Sequence, residues 1–324
     1  MTDRLEGGEP LAPSGKTAQL ARMPSIALFY EHPAWFTPLF AALDRRGIPH
    51  LDLKPEGNWD PSVVSAPAPV VFNRIAMSSF LRADEHPIFD AMAMLDHWRR
   101  AGARVINGAD VMAIDASKAR QLSLISSLGL AIPATRVVHR AADIIAAGEA
   151  IGFPLVLKAN IGGAGAGIMR YDSAEQLREA VDDKFLPTSV DGVLLVQDYV
   201  PARDGTITRI ETLDRKFLYA IDIAGGGAFD LCPADACQVP GTAIIMTATT
   251  PAPHLVDAAE RIARAMNMDV GGVEVMIDDR DGTPRFYDIN ALSNFVAKPL
   301  DVLGWEPHDR LVDYLESVIE GASH

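Results

Sequence analysis

The apolar run Leu155-Val-Leu-Lys158 leads into Gly162-Gly-Ala-Gly-Ala-Gly167, and the residues after those glycines decide what the chain can be. A dinucleotide-binding loop needs a strand before its glycines and a helix directly after them, so that the helix N-terminus meets the pyrophosphate. Here Ile168-Met-Arg-Tyr171 reads as a second strand, and a helix, capped by Ser173, follows only over 174–182. No Gly-Lys-Ser/Thr follows the glycines, so the phosphate-loop pattern fails too. The glycines are therefore predicted to form the tip of a β-hairpin. Such a tip can fold over phosphates and present N–H groups to them. Lys158 can place its ammonium beside the same phosphates. A plain surface hairpin with a snorkelling lysine is the competing reading.

Around this loop the pattern is α/β. Residues 25–30, 69–72 and 103–106 read as strands. Pro33 opens a helix with Phe36, Leu39, Phe40 and Leu43 at helical spacing and Gly47 at its end, and 89–100 reads as a second helix. This alternation predicts a parallel sheet. From Asp115 a second unit begins, with a helix capped by Asp115 or Ser117 and running to Leu128, a strand over 135–138 and a helix over 141–151. The third unit holds strands at 193–197, 206–213 and 216–223, a helix over 255–266, and a hairpin of 272–277 with 284–289 turning at Asp281-Gly282. An amphipathic helix over 306–319 closes it. The predicted division is a flexible tail at 1–22, an α/β lobe at 23–114, a lid with the glycine hairpin at 115–195 and a C-terminal lobe at 196–324.

Charge narrows the partners. The 324 residues carry 43 acidic against 29 basic side chains, a net charge of −14, the wrong sign for a phosphate-backbone binder. No apolar run reaches the roughly 18 residues of a membrane span. Cys232 and Cys237 are too few for a disulfide framework or a four-thiolate zinc site, and packing thiols are the favoured reading. A soluble, cytoplasmic enzyme or binding protein is expected, without nucleic-acid or membrane partners.

The final hairpin carries the metal chemistry. Glu274 stands in the apolar strand Gly272-Val-Glu-Val-Met-Ile277, and Asp288 and Asn290 lie two apart, on one face of its partner strand. Oxygen side chains among apolar neighbours are costly unless compensated, and Mg²⁺ takes such ligands while sharing its shell with nucleotide phosphates. Solvent-facing polar residues on an exposed sheet face are the alternative.

The ordered set Lys118, Lys158 with its glycine hairpin, Gln197-Asp-Tyr-Val200, Arg209, Glu274 and Asp288-Ile-Asn290 resembles the ATP-grasp ligases over about residues 24–320. Within them it is most similar to the branch of ribosomal-protein-modifying glutamate ligases and related carboxylate–amine ligases. The resemblance implies an ATP-grasp fold of α/β class, with a parallel-sheet N-terminal lobe, a small lid and a mixed-sheet C-terminal lobe. Carried onto this chain, Lys118, Lys158, Gly162, Gly163, Ala164, Gly165 and Gly167 would contact ATP phosphates. Gln197, Asp198, Tyr199 and Val200 would form the adenine hinge, with Asp204 at the ribose, and Glu274, Asp288 and Asn290 would hold Mg²⁺, with Mn²⁺ as an alternative. The hinge and the last metal motif commonly have Glu where Asp198 and Asp288 stand. Relatives often carry an acid two residues before the strand arginine, where this chain has Ile207.

The implied reaction activates a small-molecule or peptide carboxylate as an acyl-phosphate and joins it to an amine-type acceptor, with Lys158 and Arg209 in the catalytic set. For Arg209 the competing reading is a cross-strand ion pair with Glu211 or Asp222. Arg74, just past a strand, would bind a substrate carboxylate or pair with Asp84 or Glu85, and Asn294 and Lys298 would border the transferred phosphate. His32 is read as structural. A small-molecule kinase, a nucleotide sensor and an NAD(P)-dependent oxidoreductase are the alternative functions, and a homodimer is left open.

Overall fold

Four short strands, β1 (Ile26–Tyr30), β2 (His50–Leu53), β3 (Val70–Arg74) and β4 (Arg104–Ile106), form a parallel sheet in the order β2-β1-β3-β4. β1 and β3 are buried at every residue, as parallel strands covered on both faces must be. α1 (Thr37–Arg46) follows a 3-10 turn at Pro33–Phe36 and ends at Gly47, whose φ of 64° is the left-handed cap that glycine favours. α2 (Pro87–Arg100) buries Ile88, Ala91, Leu95 and Trp98 against the opposite face. The structure, a computed structural model, describes residues 24–55, 58–79, 87–162, 167–225, 244–292 and 294–322. The tail at 1–22, Asp84, Glu85, Gly163, Ala164, Gly165, Cys232 and Cys237 lie outside the described residues.

α3 (Ala109–Asp115) and α4 (Lys118–Ser127) lead to the second sheet. Its strands β5 (Thr135–Val138), β6 (Leu155–Ala159), β7 (Ile168–Tyr171) and β8 (Leu194–Asp198) run antiparallel in the order β5-β8-β6-β7. α5 (Ile144–Ile151) and α6 (Ala174–Asp182) close one face over Leu155, Leu157 and Val196. β6 and β7 are direct antiparallel partners, with Lys158 opposite Ile168. The glycine segment therefore joins two strands of a hairpin, and the oxidoreductase reading, which required a helix there, falls. Ser117 caps α4 by accepting from the Arg120 N–H, whereas Asp115 closes α3.

The third sheet orders β9 (Ala202–Leu213), β10 (Lys216–Gly225), β11 (Ile244–Thr249), β12 (Val270–Asp278) and β13 (Pro284–Asn290) as β11-β10-β9-β12-β13, with every described pairing antiparallel. α7 (Pro253–Ala265) packs Ala258, Ala259 and Ile262 on one face together with Ile125 of α4. On the other face Tyr219, Ile221 and Ile223 share a core with Ile26, Leu28 and Phe72 of the first sheet. After the short α8 (Pro299–Val302), α9 (Pro307–Ala322) contributes Leu311, Val312 and Leu315 to that same core. Asn107 fastens the two sheets from the polar side, its Nδ2 donating to the carbonyls of Val270 at 2.6 Å and Ala291 at 2.7 Å. Among the described residues no helix is long and apolar enough to cross a membrane.

Candidate functional site

Glu274 on β12 stands directly opposite Asp288 on β13, and Asn290, two residues on, shares the Asp288 face. The register slips between Glu274 and Val275, so that Tyr287 is an extra residue on β13. Its hydroxyl donates to Glu274 Oε2 at 2.7 Å. The other oxygen, Oε1, accepts from Asn290 Nδ2 and from Arg209 Nη1, both at 3.2 Å. Burial first, and then Asp288, push the Glu274 carboxyl above its ordinary value. A buried carboxylate facing a half-buried one repels it, and such a pair calls for a cation.

Two lysines reach this cluster. Lys118, the first residue of α4, pairs its ammonium with Asp288, so the cation expected at the phosphates sits against an expected metal ligand. Burial opposes its charge, but Asp288, Glu274 and Asp115 outweigh that and hold its pKa high. Lys158 on β6 is 5% exposed, and its ammonium makes no hydrogen bond or ion pair among the described residues. Burial and then Lys118 pull its pKa down to about 7. Asn160 brings the two together, because its Oδ1 accepts from the Ala119 N–H at 2.8 Å while its main-chain carbonyl accepts from Lys118 N at 3.2 Å. Nothing in the local sequence marks Asn160 for this task.

Arg209 donates from Nε to Glu211 Oε1 at 2.7 Å, so its partners are Glu211 along its own strand and Glu274 across the ladder. Asp222 instead takes the Thr208 hydroxyl at 2.6 Å. Ile207 stands two residues before this arginine and Glu211 two residues after it, so the charge partner on its own strand comes from the C-terminal side. Gly272 makes room for this pair, since a Cβ there would lie 2.7 Å from Arg209 Nε and 2.8 Å from Glu211 Oε1. Asp115, close by, accepts from the Ala291 N–H at 3.2 Å and is pushed up to about 7, chiefly by burial.

Arg74 ends β3 with 3% of its surface exposed, and its guanidinium packs 5.0 Å from the Phe36 ring centroid and 4.9 Å from that of Phe72. Nη2 donates to Asn294 Oδ1 at 3.1 Å, joining residues 220 positions apart. Burial pulls this guanidinium down to about 9 against Glu211 and Asp115, which still leaves it charged at neutral pH.

Towards the end of β8, Gln197 is buried and donates to Thr135 Oγ1 at 2.8 Å. Asp198 points the other way, into the fork of Arg280. The Arg170 guanidinium lies 4.1 Å over the Tyr199 ring. Tyr199 N–H donates to the Pro154 carbonyl, whereas the Val200 N–H has no main-chain partner among the described residues. Asp204 is exposed and left-handed, with φ of 56°. Gly162 ends the described part of the hairpin, and Gly167 resumes it with φ of 74°, its carbonyl accepting from Ala159 N–H.

Among the described residues no group of three or more His, Cys, Asp or Glu could hold a metal ion. Two carboxylates and an amide suit Mg²⁺, which leaves its other positions to waters and phosphate oxygens. The buried ammonium of Lys158 equally suits an anionic phosphate. The residues present therefore fit both groups.

The RimK-like ATP-grasp domain matches residues 115–298. A probable alpha-L-glutamate ligase 1 from Shewanella amazonensis is 26% identical over 219 residues, covering 63% of this chain and 69% of that protein. The ribosomal protein bS6–L-glutamate ligase of Shigella boydii is 27% identical over 205 residues, and the match spans 63% of this chain and 64% of the relative. The solved ATP-grasp ligase PsnB, complexed with a minimal precursor, superposes with a TM-score of 0.66 at 15% identity, over 90% of this chain and 99% of PsnB. PsnB has also been solved with Mg and ADP.

Proposed function

The chain belongs to the RimK-like ATP-grasp family, and from that premise we propose that its site activates a carboxylate with ATP and transfers the acyl group to an amine. The observation that carries this reading is Lys158, a buried ammonium with no partner among the described residues, beside two facing carboxylates. A phosphate chain with its metal answers both charges at once.

In this reading the substrate carboxylate rests on Arg74 and Asn294. One of its oxygens attacks the γ-phosphorus, the bond to the leaving ADP oxygen breaks, and an acyl-phosphate forms. The acceptor nitrogen then attacks the acyl carbon, gives up a proton, and phosphate departs. Lys118, Lys158 and Arg209 stabilise the negative charge of the transferring group and hold it in line, so catalysis is positioning and electrostatics. Glu274, Asp288 and Asn290 would hold Mg²⁺, which supplies charge neutralisation at the phosphate oxygens. Gln197 to Val200 receive adenine, with the Val200 N–H offered to the base, Asp204 serves the ribose, and Gly162 to Gly167 cover the phosphates. The lobes at 23–114, 115–195 and 196–324, with a tail at 1–22, and a cytoplasmic location belong to the same proposal. The partners are an amino-acid or peptide carboxylate and an amine acceptor.

Hydroxylamine tests the reaction type, because it intercepts a mixed anhydride. With Mg·ATP and a panel of amino-acid and peptide carboxylates, hydroxamate should form in step with ADP, and Lys158→Met should abolish both. A stable phosphorylated product without hydroxamate would make the protein a kinase. ATP binding with neither signal would make it a sensor.

A further inference from the structure

The second sheet hangs from the third by two legs, and both rest on the β12–β13 hairpin. On the outgoing leg the Phe286 N–H donates to the Ala131 carbonyl at 3.0 Å, and on the returning leg the Asp279 N–H donates to that of Pro201 at 2.9 Å. Arg280 stands at the turn of this hairpin and grips the returning leg. Its Nη1 and Nη2 donate to the two oxygens of Asp198 at 3.1 and 2.6 Å. The same guanidinium donates from Nε and Nη2 to the two oxygens of Asp278 at 2.9 and 2.8 Å. Asp278 is fully buried and also accepts from Arg285 Nε at 2.7 Å.

Surface ion pairs usually contribute little, but two features set this one apart. The fork is bidentate towards both carboxylates, which fixes orientation as well as distance. Its far end is anchored on a buried carboxylate that a second arginine holds in place. Both oxygens of Asp198 are thereby occupied, so this side chain fixes its own backbone instead of reaching for a ligand. Gln197, on the opposite face, is fixed by Thr135.

We propose that Arg280 is a positioning residue for the nucleotide: through Asp198 it holds the main chain of residues 198–200 in the orientation that recognises the base. The inference rests on the reading that this segment receives adenine. It assigns base recognition a support separate from the lysines that hold the phosphates.

The test compares calorimetric affinities of the full chain for Mg·ATP and for Mg·triphosphate, the inorganic chain without a base. Arg280→Lys keeps the charge but loses the fork. Asp198→Asn removes the hinge partner while leaving Asp278 with both arginines, which guards against a variant that fails to fold. If the competent hinge population falls to about a tenth, ATP affinity falls about tenfold while triphosphate affinity stays within about twofold. The double variant should lose no more than the worse single one, since both act through one contact. A merely structural role would weaken both ligands alike, and that outcome overturns the proposal, as does an unchanged preference for ATP. Should the wild type itself bind ATP no better than triphosphate, the hinge reading fails and the proposal falls with it.

Discussion

Replacing Lys158 with Met should make the protein more stable and less active. Lys158 is 5% exposed, and its ammonium has no partner among the described residues, with a pKa drawn from 10.5 to about 7. At about 1.4 kcal/mol per unit, keeping that proton in the folded state costs roughly 4 kcal/mol near pH 7, and relaxation reduces the recoverable part to about 2–4 kcal/mol. Between pH 7 and 10 the unfolded chain retains the proton that the folded chain sheds, so wild-type stability should rise with pH across that window. The variant should lack this slope. Its activity should fall at least about a hundredfold, the scale of removing one preorganised charge from a transition state. Urea unfolding at pH 7, 8 and 9 measures the stability and its slope, and ADP release with Mg·ATP and a carboxylate measures the activity. A variant less stable than wild type at pH 7, with the slope intact, would refute the reasoning.

Asp288→Asn keeps the side-chain size but removes a charge from the face proposed for the metal and the anionic partner of Lys118. Turnover measured by ADP release should drop by about a hundredfold or more, with circular dichroism unchanged. Gly272→Ala drives a Cβ to 2.7 Å from Arg209 Nε. It should cost about 1–3 kcal/mol in unfolding experiments and lower turnover as Arg209 is displaced. Hydrogen bonds from Arg280 and Arg285 hold the Asp278 carboxyl well below the usual range. Its contribution is present above about pH 4 and is lost as pH falls towards that depressed value, so Asp278→Asn should flatten the acid limb of a stability–pH curve.

The hairpin nature of the glycine loop was legible because it depends on the four residues 168–171 and one question, strand or helix. The placement of Glu274 and Asp288 on neighbouring strands followed from the turn at Asp281-Gly282, whose Gly282 has φ of 75°. The bulge that brings Tyr287 to Glu274 did not, since alternation alone points Tyr287 away from Asp288 and pairing decides otherwise. β2 escaped because His50-Leu-Asp-Leu53 alternates too briefly to stand out. β11 escaped as an edge strand with three exposed residues in six. α3 was hidden because Asp115, read as the cap of the next helix, ends this one. Nothing in the local sequence marked Arg280, which adjoins the turn at Asp281-Gly282, and Arg74 could not be matched to Asn294 from the sequence. Such meetings depend on how the sheets pack, which no local pattern encodes.

The two legs set on one hairpin have a consequence for how such a chain can be rebuilt. From Ala131 to Pro201 the polypeptide makes a closed excursion, leaving and rejoining the remaining sheets at neighbouring points of the same scaffold. An excursion with adjacent ends can be lengthened, shortened or exchanged whole at small entropic cost, because the closure is already made at its base. The carboxylate cluster and Arg74 lie outside that excursion, whereas Lys158 and the glycine hairpin lie within it. A graft of this segment between related chains would therefore carry Lys158 and the glycine hairpin with it while leaving the recipient's carboxylate cluster and the arginine at the end of β3 in place.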